Sequence, residues 1–466
     1  MVQCPQRAES SGRIRMCRAC SGRCVFGHLT SEATKDTLYP EENRRFFGSM
    51  PVTCGNRGKN TRTKKGLYNM ADIRSYIRER EKREQKQSDY KEKIMNHKLT
   101  SLYRILLVIA GVAALIALII VQYKRHVYTD YDIVSSVVRE SASSATDVRL
   151  GNAILTYSRD GAHCTNAKGE TFWNQTYQIQ DVRIAISGDT VAIGDYNGRS
   201  IYVQNTQQQL GVITTNMPIR EVTVSSSGKV AAVLTDTDLE WINTYSADGE
   251  ELYHGQARMS DSGYPVAISL SPSGELLCVA YLYVDAGVLK TNLAFYNLGD
   301  VGSNYNDFLV ASDACTDLIP YVQFMNDNTM FAVGDGCLRI YTGSHQPVLA
   351  AGHLYNEEVQ SVFYNEEYVG LMFRSDNNDY LYRLDVYNTA AKKVNSFYFN
   401  IEYTDLFFDK DNIVIYNETE CVITTMDKIE KFNGSFSKPV RLMLPGNSAY
   451  RYVLVTDSTI DTIQLK

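Results

Sequence analysis

The most metal-like residues in the chain lie near its start: Cys17, Cys20 and Cys24, followed four positions on by His28. Zinc takes about four thiolate or imidazole ligands, and this set supplies that number at short spacings. It has no second paired half, however, and a single close set falls short of a zinc-finger pattern. Asp236 and Asp238 offer carboxylate oxygens two residues apart, as do Asp409 and Asp411, while Asp376 and Asp379 flank two asparagines. Calcium uses such oxygens, but none of these groups completes a twelve-residue loop with its glycine and terminal glutamate. Hairpin turns are the better account of them, because Asp and Asn side chains accept backbone N–H bonds there. We therefore expect no bound metal and no cofactor.

Other chemistry is sparse. Glu357-Glu358 and Glu366-Glu367 resemble acid/base pairs, yet neighbours on a strand point to opposite faces, so these read as solvated edges. His163, His254, His345 and His353 show no ligand spacing. No His-Glu-x-x-His, Gly-x-Ser-x-Gly, Gly-x-Gly-x-x-Gly or Gly-Lys-Ser/Thr sequence occurs, so no hydrolase or nucleotide site is recognisable. Five cysteines, Cys164, Cys278, Cys315, Cys337 and Cys421, lie beyond residue 148, an odd number that cannot pair completely within one chain. Cys315 with Cys337 is the leading disulfide candidate. Tyrosine is abundant, 32 against 2 Trp. Tyr196, Tyr283 and Tyr305 are candidates for an open face, where a ring and a hydroxyl together suit sugar or protein.

The elements that must position these residues differ sharply along the chain. Residues 1–69 hold 13 Lys/Arg against 5 Asp/Glu, residues 70–104 hold 10 against 6, and the remainder holds 24 against 42. The blocks therefore carry +8, +4 and −18, which suggests different surroundings. An acidic C-terminal block argues against nucleic-acid binding, which needs clustered Lys and Arg. Residues 1–69 show neither helical nor strand periodicity and read as a low-order basic segment. Because Met70-Ala-Asp opens a more protein-like sequence, a mis-assigned gene start is the favoured explanation of that segment.

Ile105 to Val121 is an unbroken apolar run, and the segment 102–123 is long enough to cross a bilayer. The charged tail before it, residues 70–101, is the more basic flank, so the positive-inside rule keeps the N-terminus cytoplasmic and exports the C-terminal domain. No small-residue cleavage site lies just beyond the run, so it should persist as a signal anchor in the cell membrane. Residues 124–147, with Ser-Ala-Ser-Ser-Ala, read as a linker.

From residue 148 to 466 short alternating strands are punctuated by Asp-Gly, Asn-Gly and Ser-Gly turns. Similar strand openings fall at Val182, Glu221, Val266, Tyr321, Gln360, Thr404 and Val440, a mean step of about 43 residues, which is a propeller-blade length. With a partial unit from Leu150 to Tyr177, the expectation is an all-β propeller of seven or eight blades, its ends pairing to close the ring, preceded by one transmembrane helix.

The stretch Ala153-Ile-Leu-Thr-Tyr-Ser-Arg-Asp-Gly-Ala-His-Cys-Thr-Asn-Ala-Lys-Gly-Glu-Thr-Phe-Trp173 resembles the blade motif of quinoprotein-like and WD40-like propellers. From Met70 onward the chain resembles a family of membrane-anchored propellers from Gram-positive bacteria, which implies architecture rather than activity. Trp173 and Trp241 are the only tryptophans, so the regular docking Trp of quinoprotein dehydrogenases is absent and no cofactor site is carried over. The expected function is a binding or scaffold module for a protein, peptide or cell-envelope polymer outside the membrane. The alternative is an extracytoplasmic glycan- or lactone-acting hydrolase, with carboxylates or calcium at the central channel.

Overall fold

The computed structural model describes residues 70–466, apart from 141–143, 238 and 260–261 and the side chains of residues 70–73 and 92. Cys17, Cys20, Cys24, His28 and Asp238 lie outside the described residues.

A single helix, α1, runs from Met70 to Lys124. Its first half is rich in good helix formers and carries spaced pairs such as Arg80 with Glu84, 3.3 Å apart one turn on. Its second half exposes apolar side chains all round, Leu107 at 74% and Leu115 at 61% among them. It is the one helix among the described residues long and apolar enough to cross a membrane.

The remainder forms eight four-stranded antiparallel sheets among the described residues. Seven are contiguous in sequence: blade 1 (146–176), blade 2 (182–214), blade 3 (219–257), blade 4 (264–315), blade 5 (321–354), blade 6 (359–399) and blade 7 (405–435). Blade 8 takes its three inner strands from 440–465 and its outermost strand from Tyr131–Val138. The two ends of the domain thus share one sheet, Tyr131 opposite Leu465 and Val138 opposite Thr459. The segment 124–147 is therefore not simply a linker, because its middle supplies the strand that closes the ring.

Sequence pattern explains each layer. The second strand of a blade is covered on both faces by neighbours, so Val191-Ala-Ile193, Val230-Ala-Ala-Val-Leu234 and Ile413-Val-Ile415 are continuously apolar and buried. Between the blades, Leu150 and Leu155 of blade 1 meet Val191 and Ile193 of blade 2, and Ile154 meets Leu442, Val453 and Val455 of blade 8. All eight pairings that involve an outermost strand carry a register shift, as at Ile340/Tyr341 and Val386/Tyr387. Such bulges twist an edge strand away from further pairing.

Many tyrosines serve this framework. Tyr341, Tyr387, Tyr416 and Tyr452 are fully buried. Tyr341, on the third strand of blade 5, donates from Oη to Asp313 of blade 4 at 2.6 Å, stitching the two blades together. The five cysteines of the sheets are buried and unbridged, Cys315 and Cys337 included, which corrects the expected disulfide. Arg339 stands beside both thiols, and burial pushes that of Cys337 up to about 11.

Candidate functional site

Strand direction sorts every loop onto one of two faces. Turns between the first and second strands of a blade, and between the third and fourth, lie on the proximal face; the remaining loops lie on the distal face. The chain reaches the propeller on the proximal face. Tyr128 N–H donates to Lys431 O at 2.7 Å, Lys431 Nζ donates to the Lys124 carbonyl at the end of α1, and Tyr131 then starts the closing strand. The distal face is on the side opposite this attachment.

On the distal face, blades 2 to 4 present an aromatic and charged patch. Tyr196 lies in the turn after Thr190–Asp195 and is held by Tyr196 N–H to Asp181 O at 2.9 Å and Asn197 N–H to Ile219 O at 2.8 Å. Asn197 takes a left-handed φ of 63°, a conformation that Asn tolerates better than most residues. The guanidinium carbons of Arg183 and Arg220 stand 4.9 and 5.5 Å from the Tyr196 ring centroid. Arg220 Nη1 also donates to Tyr196 Oη at 3.0 Å and to Asn197 Oδ1 at 2.7 Å. Crowding by protein raises the carboxyls of Glu221 and Glu240 above their usual range, against the pull of Arg183 on the first and of Thr235 and Arg220 on the second. The patch thus offers an aromatic face between two planar donors in a fixed geometry.

Beside it rises a hairpin. Strands Leu276–Asp285 and Val288–Asn297 pair to their tip, while their neighbours stop at Leu282 and Thr291. Ala286 and Gly287, at φ 52° and 81°, make the tight turn that suits strand twist. The projecting tip carries Tyr283 and exposes Val284, Val288 and Leu289. Tyr305 lies on the opposite, proximal face, in the loop before Leu309–Cys315. The structure thus places Tyr196 and Tyr283 on one face and Tyr305 on the other.

Further round the distal face, a groove of about 710 Å³ opens between blades 5 and 6. Pro320, Tyr321, Val333 and Val359 contribute its walls, with Asp335, Glu357 and Glu358 among the lining residues. Tyr355 joins two of these walls: its Oη stands 2.7 Å from Gly334 O and 2.9 Å from Cys337 O, which share its one proton. Glu357 accepts from Arg383 Nη2 at 2.8 Å, which holds its carboxyl below the usual range. On the proximal face a wider cavity of about 970 Å³ gathers Arg149, Lys168, Asp189, Tyr364 and Asn447 from blades 1, 2, 6 and 8.

The remaining candidates from the sequence are dispersed. Asp236 caps its own turn, accepting from Thr237 N–H at 2.7 Å. Asp376 pairs with Arg383 at 3.6 Å; Asp409 and Asp411 flank Lys410, whose φ is 54°. Glu367 N–H donates to Asn365 Oδ1 at 2.9 Å in a proximal turn. His254 meets Glu251 at 3.0 Å, and His353 packs on the Tyr387 ring. Among the described residues no three His, Cys, Asp or Glu come together as a metal site.

Residues 124–465 match the profile of a family described as a family of unknown function, DUF5711. The chain belongs to that family. The matched region of this DUF5711 chain begins at the last residue of α1 and takes in the closing strand with all eight blades. No curated protein matches the chain. Solved structures similar to it include Sqt1 of Saccharomyces cerevisiae, 12% identical with a TM-score of 0.49, covering 72% of this chain and 99% of that one. BamB of Moraxella catarrhalis is 10% identical with a TM-score of 0.45, covering 72% and 100%. Sqt1 of Chaetomium thermophilum, solved bound to the N-terminus of ribosomal protein L10, is 13% identical with a TM-score of 0.45, again covering 72% and 100%.

Proposed function

We propose that this DUF5711 chain is a membrane-anchored binding module of the cell envelope that holds its partner on the distal face of the propeller. The reading takes α1 as a signal anchor over 102–123, with the basic N-terminal flank in the cytoplasm and the propeller outside. Its main support is the attachment geometry. Only residues 125–130 separate α1 from the closing strand, a reach of at most about 20 Å, and they join on the proximal face. The distal face, with its fixed Arg183, Tyr196 and Arg220 stack and its exposed hairpin tip, is the one left open to a partner such as a protein, peptide or wall polymer. Tyr and Arg supply large contact area at low ordering cost, as binding surfaces require.

A photo-crosslinking residue placed at Tyr196, Tyr283 or Tyr305 in the natural host tests the reading. Discrete adducts are expected from Tyr196 and Tyr283 and none from Tyr305. Adducts from Tyr305 alone, or from none of the three, would overturn it.

A further inference from the structure

The distal loops of blades 5 to 7 are uniform in charge. The six loops 316–320, 334–336, 355–358, 375–381, 400–404 and 417–419 contain eight Asp/Glu and no Lys or Arg. The strands bring Arg339, Arg374 and Arg383 to these loops; Arg374 stacks on the Tyr382 ring at 4.7 Å, and the other two are occupied. Arg339 pairs with Asp313 and Asp317 at 3.4 and 3.5 Å, and Arg383 with Glu357 and Asp385 at 2.8 and 3.3 Å. Asp335 and Glu358 are exposed and have no ion pair among the described residues. These two carboxylates stand at the groove between blades 5 and 6, whose walls include Pro320, Tyr321, Val333 and Val359.

Apolar walls beside unpaired carboxylates match a long cationic side chain, which lays its methylenes on apolar surface and keeps its charged head near anions. The walls are already set, because the Tyr355 hydroxyl ties the loop 355–358 to both ends of the turn 334–336. A ligand entering here need not order them, which lowers the cost of binding.

We infer that this groove receives a lysine- or arginine-bearing segment of a polypeptide partner, its side-chain stem on Tyr321 and Val359 and its charged head between Asp335 and Glu358. The inference rests on the distal face being the binding face and names the chemistry of what binds. A negative field over blades 5 to 7 draws such a segment in and turns acidic chains away.

The test uses the full chain in detergent micelles and a fluorescent dodecapeptide of alternating Lys and Gly, with a Glu-Gly dodecapeptide as control. Fluorescence anisotropy should report binding of the first and not the second, weakening as NaCl rises from about 50 to about 500 mM. The double substitution Asp335→Asn and Glu358→Gln should weaken binding about three- to tenfold, the scale of two rim charges. Glu366→Gln with Glu367→Gln, on the proximal face, should leave it unchanged. Equal losses from both pairs, equal binding of both peptides, or displacement by spermidine at the same charge concentration would overturn the inference. Failure of the Lys peptide to bind while Tyr196 and Tyr283 still give adducts would overturn this assignment and leave the distal-face reading intact. Failure of both measurements would overturn both.

Discussion

Arg139 Nη2 and Asp147 Oδ1 stand 2.8 Å apart in a pair whose side chains are 9% and 0% exposed. Arg139 comes just after the closing strand of blade 8, and Asp147 lies at the start of the first strand of blade 1. Thr156 Oγ1 donates to the same carboxylate oxygen at 2.6 Å, and Arg441 Nε of blade 8 reaches the other at 3.3 Å. Arg441 also donates to the Ala145 carbonyl and pairs with Asp457 at 3.1 Å. One buried carboxylate of blade 1 therefore gathers both chain ends that make blade 8, the N-terminal strand through Arg139 and the C-terminal strands through Arg441.

Asp147→Asn should accordingly destabilise the fold by about 3 kcal/mol, since it strips a buried partner from two guanidinium groups. Asp457→Asn, which removes only the exposed partner of Arg441, should cost less than about 1 kcal/mol. Thermal melts of the two variants side by side check the contrast.

Asp405 sets a pH dependence. Burial raises its carboxyl above the ordinary value, outweighing the Leu406 N–H and the Tyr416 hydroxyl that it accepts. The folded state thus holds the proton more tightly than the unfolded chain. Its contribution to stability is fully present below the unfolded value near 3.8 and is lost as pH rises through the folded value. Asp405→Asn should therefore raise the melting temperature at pH 7 and change it little at pH 4. An equal shift at both would contradict this assignment.

The cysteines of the sheets should be inert. Cys164, Cys278, Cys315, Cys337 and Cys421 are buried and unbridged, and burial pushes the Cys164 thiol up to about 12. Since the thiolate is the reactive form, maleimide at pH 8 should label these five only after denaturation, read by peptide mass mapping. A reductant should not move the melting temperature.

The inter-blade bond of Tyr341 contributes less. Tyr341→Phe, which leaves Asp313 half-exposed and able to meet water, should cost about 1 kcal/mol in denaturant unfolding.

The propeller is legible in the sequence because its repeat is periodic in apolar character. All seven openings, from Val182 to Val440, fall at or beside the first residues of innermost strands. Closure by the chain ends is expected from the repeat, but its residues are not. Tyr131–Val138 lies between the apolar helix and a Ser/Ala-rich stretch, and nothing local marks it as the partner of Thr459–Leu465. For the same reason Asp147, at the edge of an apparent linker, gives no sign that two arginines converge on it.

The site is less visible. Tyr196 and Tyr283 can be named, but Arg183 reaches Tyr196 only across the first hairpin of blade 2, and Arg220 only through the stacking of blade 3 on blade 2. The hairpin tip has a signal in Asp285-Ala-Gly-Val288, a turn between two long strand-forming runs. The acidic loops of blades 5 to 7 are scattered over about a hundred residues, and only topology gathers them. The disulfide expected between Cys315 and Cys337 is absent: the two thiols are free and buried on strands of neighbouring blades.

The orientation of the propeller against the membrane bears most directly on the proposed function. With the full chain in lipid vesicles, a fluorophore introduced at Tyr305 or at Tyr283 through a noncanonical amino acid can be read by energy transfer to an acceptor on lipid headgroups. The account predicts stronger transfer from Tyr305, on the proximal face, than from Tyr283 at the distal hairpin. Stronger transfer from Tyr283, or equal transfer from both, would contradict it.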